Sequence, residues 1–119
     1  MSISEQEQRN MERVKHWEWT WNNDVMRMVE ECYAEDCEVS DMFRGRTFYG
    51  RAELRLIEEQ MMALDASRRM EITNMVPCGN TVAIEMDAYW GDSTQAAKNC
   101  VFLTFNEQGL IVTDHSLSL

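Results

Sequence analysis

The sequence predicts an α+β domain in which three helices pack on a curved mixed or antiparallel sheet, and three observations predict it. Apolar residues recur at helical spacing in the first half of the chain and alternate at strand spacing in the second. The joints between the late strands are short and carry glycine. Helices gathered on one face of a largely antiparallel sheet are the layered solution for such an order. With 119 residues and 45% hydrophobic content, the expectation is one domain spanning 1–119 with its own core.

Ser4 and Glu7 have the spacing of a capping box, and Met11, Val14, Trp17 and Trp21 follow at helical intervals. A first helix is expected from about Ser4 to Trp21. Asn22 and Asn23 are good caps for a second, whose Val25, Met28, Val29, Cys32 and Tyr33 form an i, i+3, i+4, i+7, i+8 stripe. Cys37 to Met42 alternates loosely and runs into Phe43-Arg44-Gly45-Arg46, which reads as a short strand entering a loop that Gly50 closes. Leu54, Ile57, Met61 and Leu64 are spaced for the core face of a third helix, from about Arg51 to Leu64.

Four strands are then expected: Met70 to Cys78, Thr81 to Trp90, Ala97 to Asn106, and Leu110 to the C-terminus. Gly79-Asn80 and Glu107-Gln108-Gly109 are hairpin signals, and Gly91-Asp92-Ser93-Thr94 is a longer joint. Val82, Ile84, Met86, Ala88 and Trp90 share one face of their strand, and Ala83, Glu85, Asp87 and Tyr89 the other. Asn99, Val101, Leu103 and Phe105 likewise share a face, while Cys100 and Phe102 leave the opposite side partly apolar. A sheet apolar on both sides needs two covers, here the helices and a second subunit.

Eleven Lys+Arg against twenty-one Asp+Glu give a formal charge of −10. Such a surface repels phosphate backbones and anionic headgroups, so neither nucleic acid nor membrane is an expected partner. The opening MSISEQEQRN lacks a basic region followed by an apolar stretch, and no apolar run reaches the roughly 18 residues of a membrane span, which predicts a cytoplasmic protein. Cys32, Cys37, Cys78 and Cys100 form no CxxC pair and have only two histidines beside them. They read as four buried, reduced thiols, with no metal site and no disulfide framework.

Four segments carry a family resemblance: Trp21-Asn22-Asn23-Asp24, Tyr33-Ala34-Glu35-Asp36-Cys37-Glu38-Val39-Ser40-Asp41, Gly50-Arg51, and Phe105-Asn106-Glu107-Gln108-Gly109-Leu110-Ile111. In this order and spacing the chain resembles the NTF2-like superfamily, and within it the SnoaL-like polyketide cyclases and ketosteroid isomerases, over nearly its whole length. The resemblance implies a cone-shaped barrel with an apolar cavity, dimerisation through the outer sheet face, and a small apolar substrate handled without a cofactor. The superfamily also hosts dehydratases, epoxide hydrolases and non-catalytic binding modules, so the fold alone does not choose an activity.

Two aspartates are candidate catalytic groups. Asp41 lies eight residues after Tyr33, the interval at which ketosteroid isomerases carry their general base. A carboxylate there can remove a proton α to a carbonyl if apolar neighbours such as Met42 and Phe43 raise its pKa; otherwise it is a solvated acid in an acid-rich stretch. The rest of that isomerase's machinery is altered. Its oxyanion-hole tyrosine falls on Trp17, which can only donate, and its protonated aspartate falls on Val101.

Asp114 corresponds to the late-strand acid of the cyclases, and the resemblance turns Asp114, Ser116 and Ser118 toward the cavity. Plain alternation instead turns Ile111, Leu117 and Leu119 inward, unless a bulge or a dimer contact intervenes. Asn99 is a candidate orienting amide or a satisfied core amide, and Trp17, Met86, Trp90 and Met61 are either cavity lining or core. His16 is expected to be exposed, and His115 to face away from Asp114. Glu85 and Asp87 occupy the strand where the epoxide hydrolases carry Arg-x-Asp, but with an acid in place of the arginine they read as the polar side of a strand. The expected function is thus a cofactor-free isomerase or cyclase using Asp41 or Asp114 as acid/base on an apolar carbonyl compound. The alternative is a non-catalytic module for a hydrophobic ligand or a protein.

Overall fold

The computed structural model describes residues 2–42 and 45–118. Along them run α1 (Glu5–Asn23), α2 (Val25–Cys32), β1 (Tyr33–Asp41), β2 (Arg46–Tyr49), α3 (Gly50–Leu64), β3 (Arg69–Cys78), β4 (Thr81–Tyr89), β5 (Ala97–Phe105) and β6 (Ile111–Ser118). The strands form one sheet in the order β2-β1-β6-β5-β4-β3. β1 and β6 pair in parallel and the other neighbours pair antiparallel. The sheet is mixed and does not close: β2 and β3 remain edges of an α+β cone whose inner face the helices cover.

The predicted capping box is present, with the Ser4 hydroxyl accepting from the Glu7 amide and the Glu7 carboxylate accepting from the Ser4 amide. α1 runs past Trp21 to Asn23, and the cap of α2 is Asp24, which accepts from the Arg27 amide, rather than Asn22 or Asn23. Asn22 has a different role. Its side-chain amide donates to the Met70 carbonyl at 2.9 Å and accepts from the Met70 amide at 2.8 Å, which ties α1 to β3 as a neighbouring strand would. Tyr33, expected at the end of the helical stripe, opens β1 in extended conformation. β2, expected as loop, is a short and largely exposed edge strand that pairs with β1.

Three further expectations are corrected. On α3 only Leu54 of the predicted stripe is buried; Ile57 and Met61 are half-buried, and Leu64, the last residue of the helix, is 81% exposed. Cys32 and Cys37 are buried, but Cys78 is exposed and Cys100 half-buried, since both lie on the outer face. Trp90 falls just beyond the end of β4 and is 40% exposed, although it shares the parity of buried Val82, Ile84, Met86 and Ala88.

Val101, Leu103 and Phe105 are buried on the inner face as expected, and Phe102 points outward, 44% exposed. In the β5–β6 ladder Leu103 lies opposite Asp114 and Thr104 opposite Thr113, but Phe105 lies opposite Ile111. Val112 is therefore an extra residue, a β-bulge that reverses which side chains of β6 face inward. Ile111 and Asp114 are consequently both buried. Among the described residues no helix is long and apolar enough to cross a membrane.

The far end of the cone is closed by α1. Buried Asn10 reaches the Gly79 carbonyl at 3.4 Å and accepts from Arg13, whose guanidinium lies over Gly109. Gly109 holds φ +81°, and a Cβ there would come within 2.2 Å of that guanidinium. A side chain is disfavoured on both counts. Gly109→Ala should lower unfolding stability by about 1 kcal/mol in urea denaturation, and most of the loss should persist in an Arg13→Ala background because the backbone conformation is unchanged.

Candidate functional site

The bulge at Val112 places Asp114 on the inner face of β6, where it is 7% exposed. The start of β1 supplies Tyr33 and α1 supplies Trp17, both buried. The Trp17 Nε1–H donates to the Tyr33 hydroxyl at 3.1 Å, and that hydroxyl donates to Asp114 Oδ2 at 2.5 Å. An indole N–H can only donate, so the Tyr33 oxygen is the acceptor in the first bond and its proton is directed to the carboxylate. The chain of donors has one polarity, and it ends on Asp114.

Burial raises the Asp114 carboxyl from an ordinary value of 3.8 to about 6. The Tyr33 hydrogen bond and, less strongly, the His115 charge act downward, and the Glu58 carboxylate adds to the rise. Burial also pushes the Tyr33 phenol well above its usual value, reinforced by the charge of Asp114 and by the bond to it. Tyr33 is thus a permanent donor, while Asp114 changes charge near neutrality. A carboxyl with such a pKa can both take and return a proton.

Beyond Glu58 lies a second polar pair. The Glu58 carboxylate accepts from an Arg68 terminal nitrogen, and both side chains are largely buried. The Arg68 guanidinium stands 4.3 Å from the centre of the Trp21 ring. Next to it a recess of about 460 Å³ is lined by Trp21, Met26, Glu59, Met62 and Arg68 among others.

The remaining candidates are dispersed. Asp41 ends β1, half-buried, with Arg46 and Ser116 as register partners, whereas Asp114 pairs with Val39. Of the apolar neighbours expected for Asp41, Met42 is 53% exposed and provides no dry wall, and Phe43 lies outside the described residues. Trp17 and Met86 belong to the core, Met61 is half-buried on α3, and exposed Trp90 lines no interior. Half-buried Asn99 lies opposite Met86 and donates to the Ala97 carbonyl at 3.1 Å. His16 is exposed and pairs with Glu31, and His115 meets Glu38 at 2.7 Å on the face opposite Asp114. Glu85 accepts from Asn74 and Asp87 pairs with Lys98, the roles of a strand's polar side. Among the described residues no group of three or more His, Cys, Asp and Glu is placed to hold a metal ion.

Sequence reasoning missed Tyr33, Glu58 and Arg68 as parts of a site. The interval from Tyr33 to Asp41 directed notice to its far end, while the near end carries the buried contact. For Glu58 and Arg68 no local pattern distinguishes them from the many surface charges.

The family model for the SnoaL-like domain matches residues 14–113. Among solved structures, the chain is similar to a protein provisionally named a ketosteroid isomerase from Kribbella flavida, with 16% identity, TM-score 0.82, and coverage of 94% of this chain and 78% of that one. It is similar also to a provisionally named SnoaL-like polyketide cyclase from Jannaschia, with 11% identity, TM-score 0.84, and coverage of 99% and 90%. A SnoaL-like protein of unknown function from Burkholderia thailandensis matches at 12% identity and TM-score 0.79, covering 92% and 93%. No curated protein matches the chain in sequence. At these identities the structural likeness shows the fold.

The raised pKa of Asp114 has a consequence for stability. The folded carboxyl holds its proton up to about pH 6 while the unfolded one releases it near 3.8, so the folded state binds more protons in that window and stability falls as pH rises through it. The full loss is about 3 kcal/mol. Asp114→Asn, which mimics the neutral acid, should flatten this slope and be more stable than the parent at about pH 8 but not at about pH 4, as read by urea denaturation at both values.

Proposed function

Since the chain belongs to the SnoaL-like domain family, we propose that it is a cofactor-free isomerase or cyclase in which Asp114 moves a proton on a small, apolar, carbonyl-bearing metabolite. The observation that carries this reading is the buried hydrogen bond from Tyr33 to Asp114, on a carboxyl whose pKa is about 6. At neutral pH most of Asp114 is ionised and able to remove a proton from a carbon α to a carbonyl; once protonated, it can return the proton at another position. Tyr33 fixes the orientation of the carboxylate by holding Oδ2, and Trp17 fixes Tyr33. Because the Trp17 N–H is engaged in that task, the site favours substrates whose carbanion is already delocalised over its own carbonyl groups.

Asp41 is the alternative base, supported by its interval from Tyr33. A non-catalytic module remains the second reading, supported by the core placement of Trp17 and Met86 in the expected cavity region. The proposal includes a cytoplasmic setting, supported by four free cysteines. It also includes a homodimer through the outer sheet face, where exposed Val76 and Phe102 form an apolar strip on β3 and β5.

Proton transfer is measurable as deuterium incorporation α to the carbonyl of a ketone panel in D₂O, followed by NMR. For Asp114 as base, the rate should rise about tenfold per pH unit below about 6 and level off above it. Asp114→Asn should lose roughly 10²-fold or more, and Tyr33→Phe should move the midpoint upward, since the bond it removes holds the pKa down. Full activity in both Asp114→Asn and Asp41→Asn would reject either aspartate as the acid/base, whereas no exchange by the parent protein across the panel would favour a binding module. For the dimer, Phe102→Asp should halve the mass measured by light scattering, and an unchanged mass would reject that interface.

A further inference from the structure

Arg9 and Arg13 stand four residues apart on α1 and line a recess of about 420 Å³ together with Gln6, Asn80, Asn106 and Glu107. Every lining side chain is polar, in contrast to the apolar surroundings of Asp114. Acids outnumber Lys and Arg by twenty-one to eleven in this chain, yet among the described residues neither arginine has a carboxylate within ion-pair distance. Arg13 is nonetheless held in place. One of its terminal nitrogens donates to the side chain of Asn10, itself only 1% exposed, and its guanidinium packs against Gly109. A buried amide and a residue without a side chain thus fix a guanidinium whose remaining donors have no acceptor among the described residues.

The two asparagines add donors. Asn80 Oδ1 accepts from the Gln6 side-chain amide, and Asn106 Oδ1 accepts from the Gln108 and Leu110 backbone amides, both at 3.0 Å. With their oxygens engaged, both carboxamides offer nitrogen; that of Asn106 reaches only the Gln108 side-chain oxygen, at 3.4 Å. Glu107 is the one carboxylate in the lining, since Glu7 is occupied by the Ser4 and Gly79 amides and neither Glu5 nor Glu12 borders the recess. Two guanidiniums against one carboxylate leave the recess positive. We propose that it is a binding site for a phosphate group, whose oxygens accept from the Arg9 and Arg13 guanidiniums and from the Asn80 and Asn106 carboxamides. Four donor groups exceed what the two oxygens of a planar carboxylate engage, and the guanidinium fork suits phosphate. The net charge of −10 opposes anions at long range, which restricts the occupant to a small ion held at contact distance. The site shares no residue with the Asp114 cluster and stands whether or not Asp114 transfers a proton.

Inorganic phosphate, phenyl phosphate and benzoate are titrated into the whole protein at constant ionic strength, and heteronuclear NMR of the arginine Nε–H and asparagine side-chain amides is the readout. The phosphates should move the Arg9 and Arg13 signals saturably with Kd of about 1 mM or tighter, and benzoate should bind at least about tenfold more weakly. Tighter binding of phenyl phosphate than of inorganic phosphate assigns the site to an esterified ligand, and the reverse order to the free ion. Arg9→Gln should weaken phosphate by about tenfold, and so should Arg13→Lys, which keeps the charge but lacks the fork. Lys15→Gln removes an exposed cation of α1 that does not border the recess, and it should leave the affinity unchanged. No saturable shift up to roughly 20 mM phosphate, equal or tighter binding of benzoate, unchanged affinity in Arg9→Gln or Arg13→Lys, or an equal loss in Lys15→Gln would each overturn the proposal.

Discussion

A carboxylate taken out of water must find donors or keep its proton, and Asp114 does some of each. The hydroxyl of Tyr33 satisfies one oxygen, and burial raises the pKa until the neutral acid is within reach of ordinary pH. That solution makes demands on the rest of the chain. Tyr33 must stand at the start of β1, β1 must run parallel beside β6, and α1, which packs on β3 and β4, must bring Trp17 within reach of the phenol. One chain of two hydrogen bonds thereby joins three elements far apart in sequence. The apolar residues around it, among them Val29, Leu103 and Ile111, supply the dry surroundings that give the bond its strength.

Most of the other charges do little by comparison. Glu31 with Arg27, and Glu30 with Arg51 and Arg55, are partly exposed pairs of the kind that contributes little to stability. They moderate an acidic surface, and the net charge of −10 is tolerated because it is spread over solvated groups. The buried exceptions are Asp114 and the Glu58–Arg68 pair. These are the positions where the same side chains have strong consequences, because their fields are not screened by water.

The features legible in the sequence were those with local causes. The capping box at Ser4, the alternation of Val82, Ile84 and Met86, and the turn at Gly79-Asn80 each follow from a few adjacent residues. What escaped notice depends on distant partners. β2 has strand-favouring Thr47, Phe48 and Tyr49, but at four residues it is too short to read as a strand alone and exists because β1 offers it an edge. Tyr33 fits the end of a helical stripe as well as the start of a strand, and it is β6, with Ile111 as ladder partner and Asp114, 81 residues away, as hydrogen-bond partner, that distinguishes the two. Leu64 has the spacing of a core residue, but it ends its helix and no distant element covers it, so it is 81% exposed. Asn22 looks like a cap, yet the backbone of β3 claims both ends of its amide.

The bulge at Val112 also bears on how this fold can diversify. Substitutions alter a site one side chain at a time, whereas gaining or losing a bulge inverts the parity of everything beyond it. Were β6 to alternate without a break, Thr113, His115 and Leu117 would face inward in place of Asp114 and Ser116, with no residue altered. Losing Val112 together with the bulge restores the present facing, so lineages built on this scaffold can gain or lose that residue and keep the inward acid. Alignments that treat one gap in the last strand as noise would pair residues that face opposite sides of the sheet.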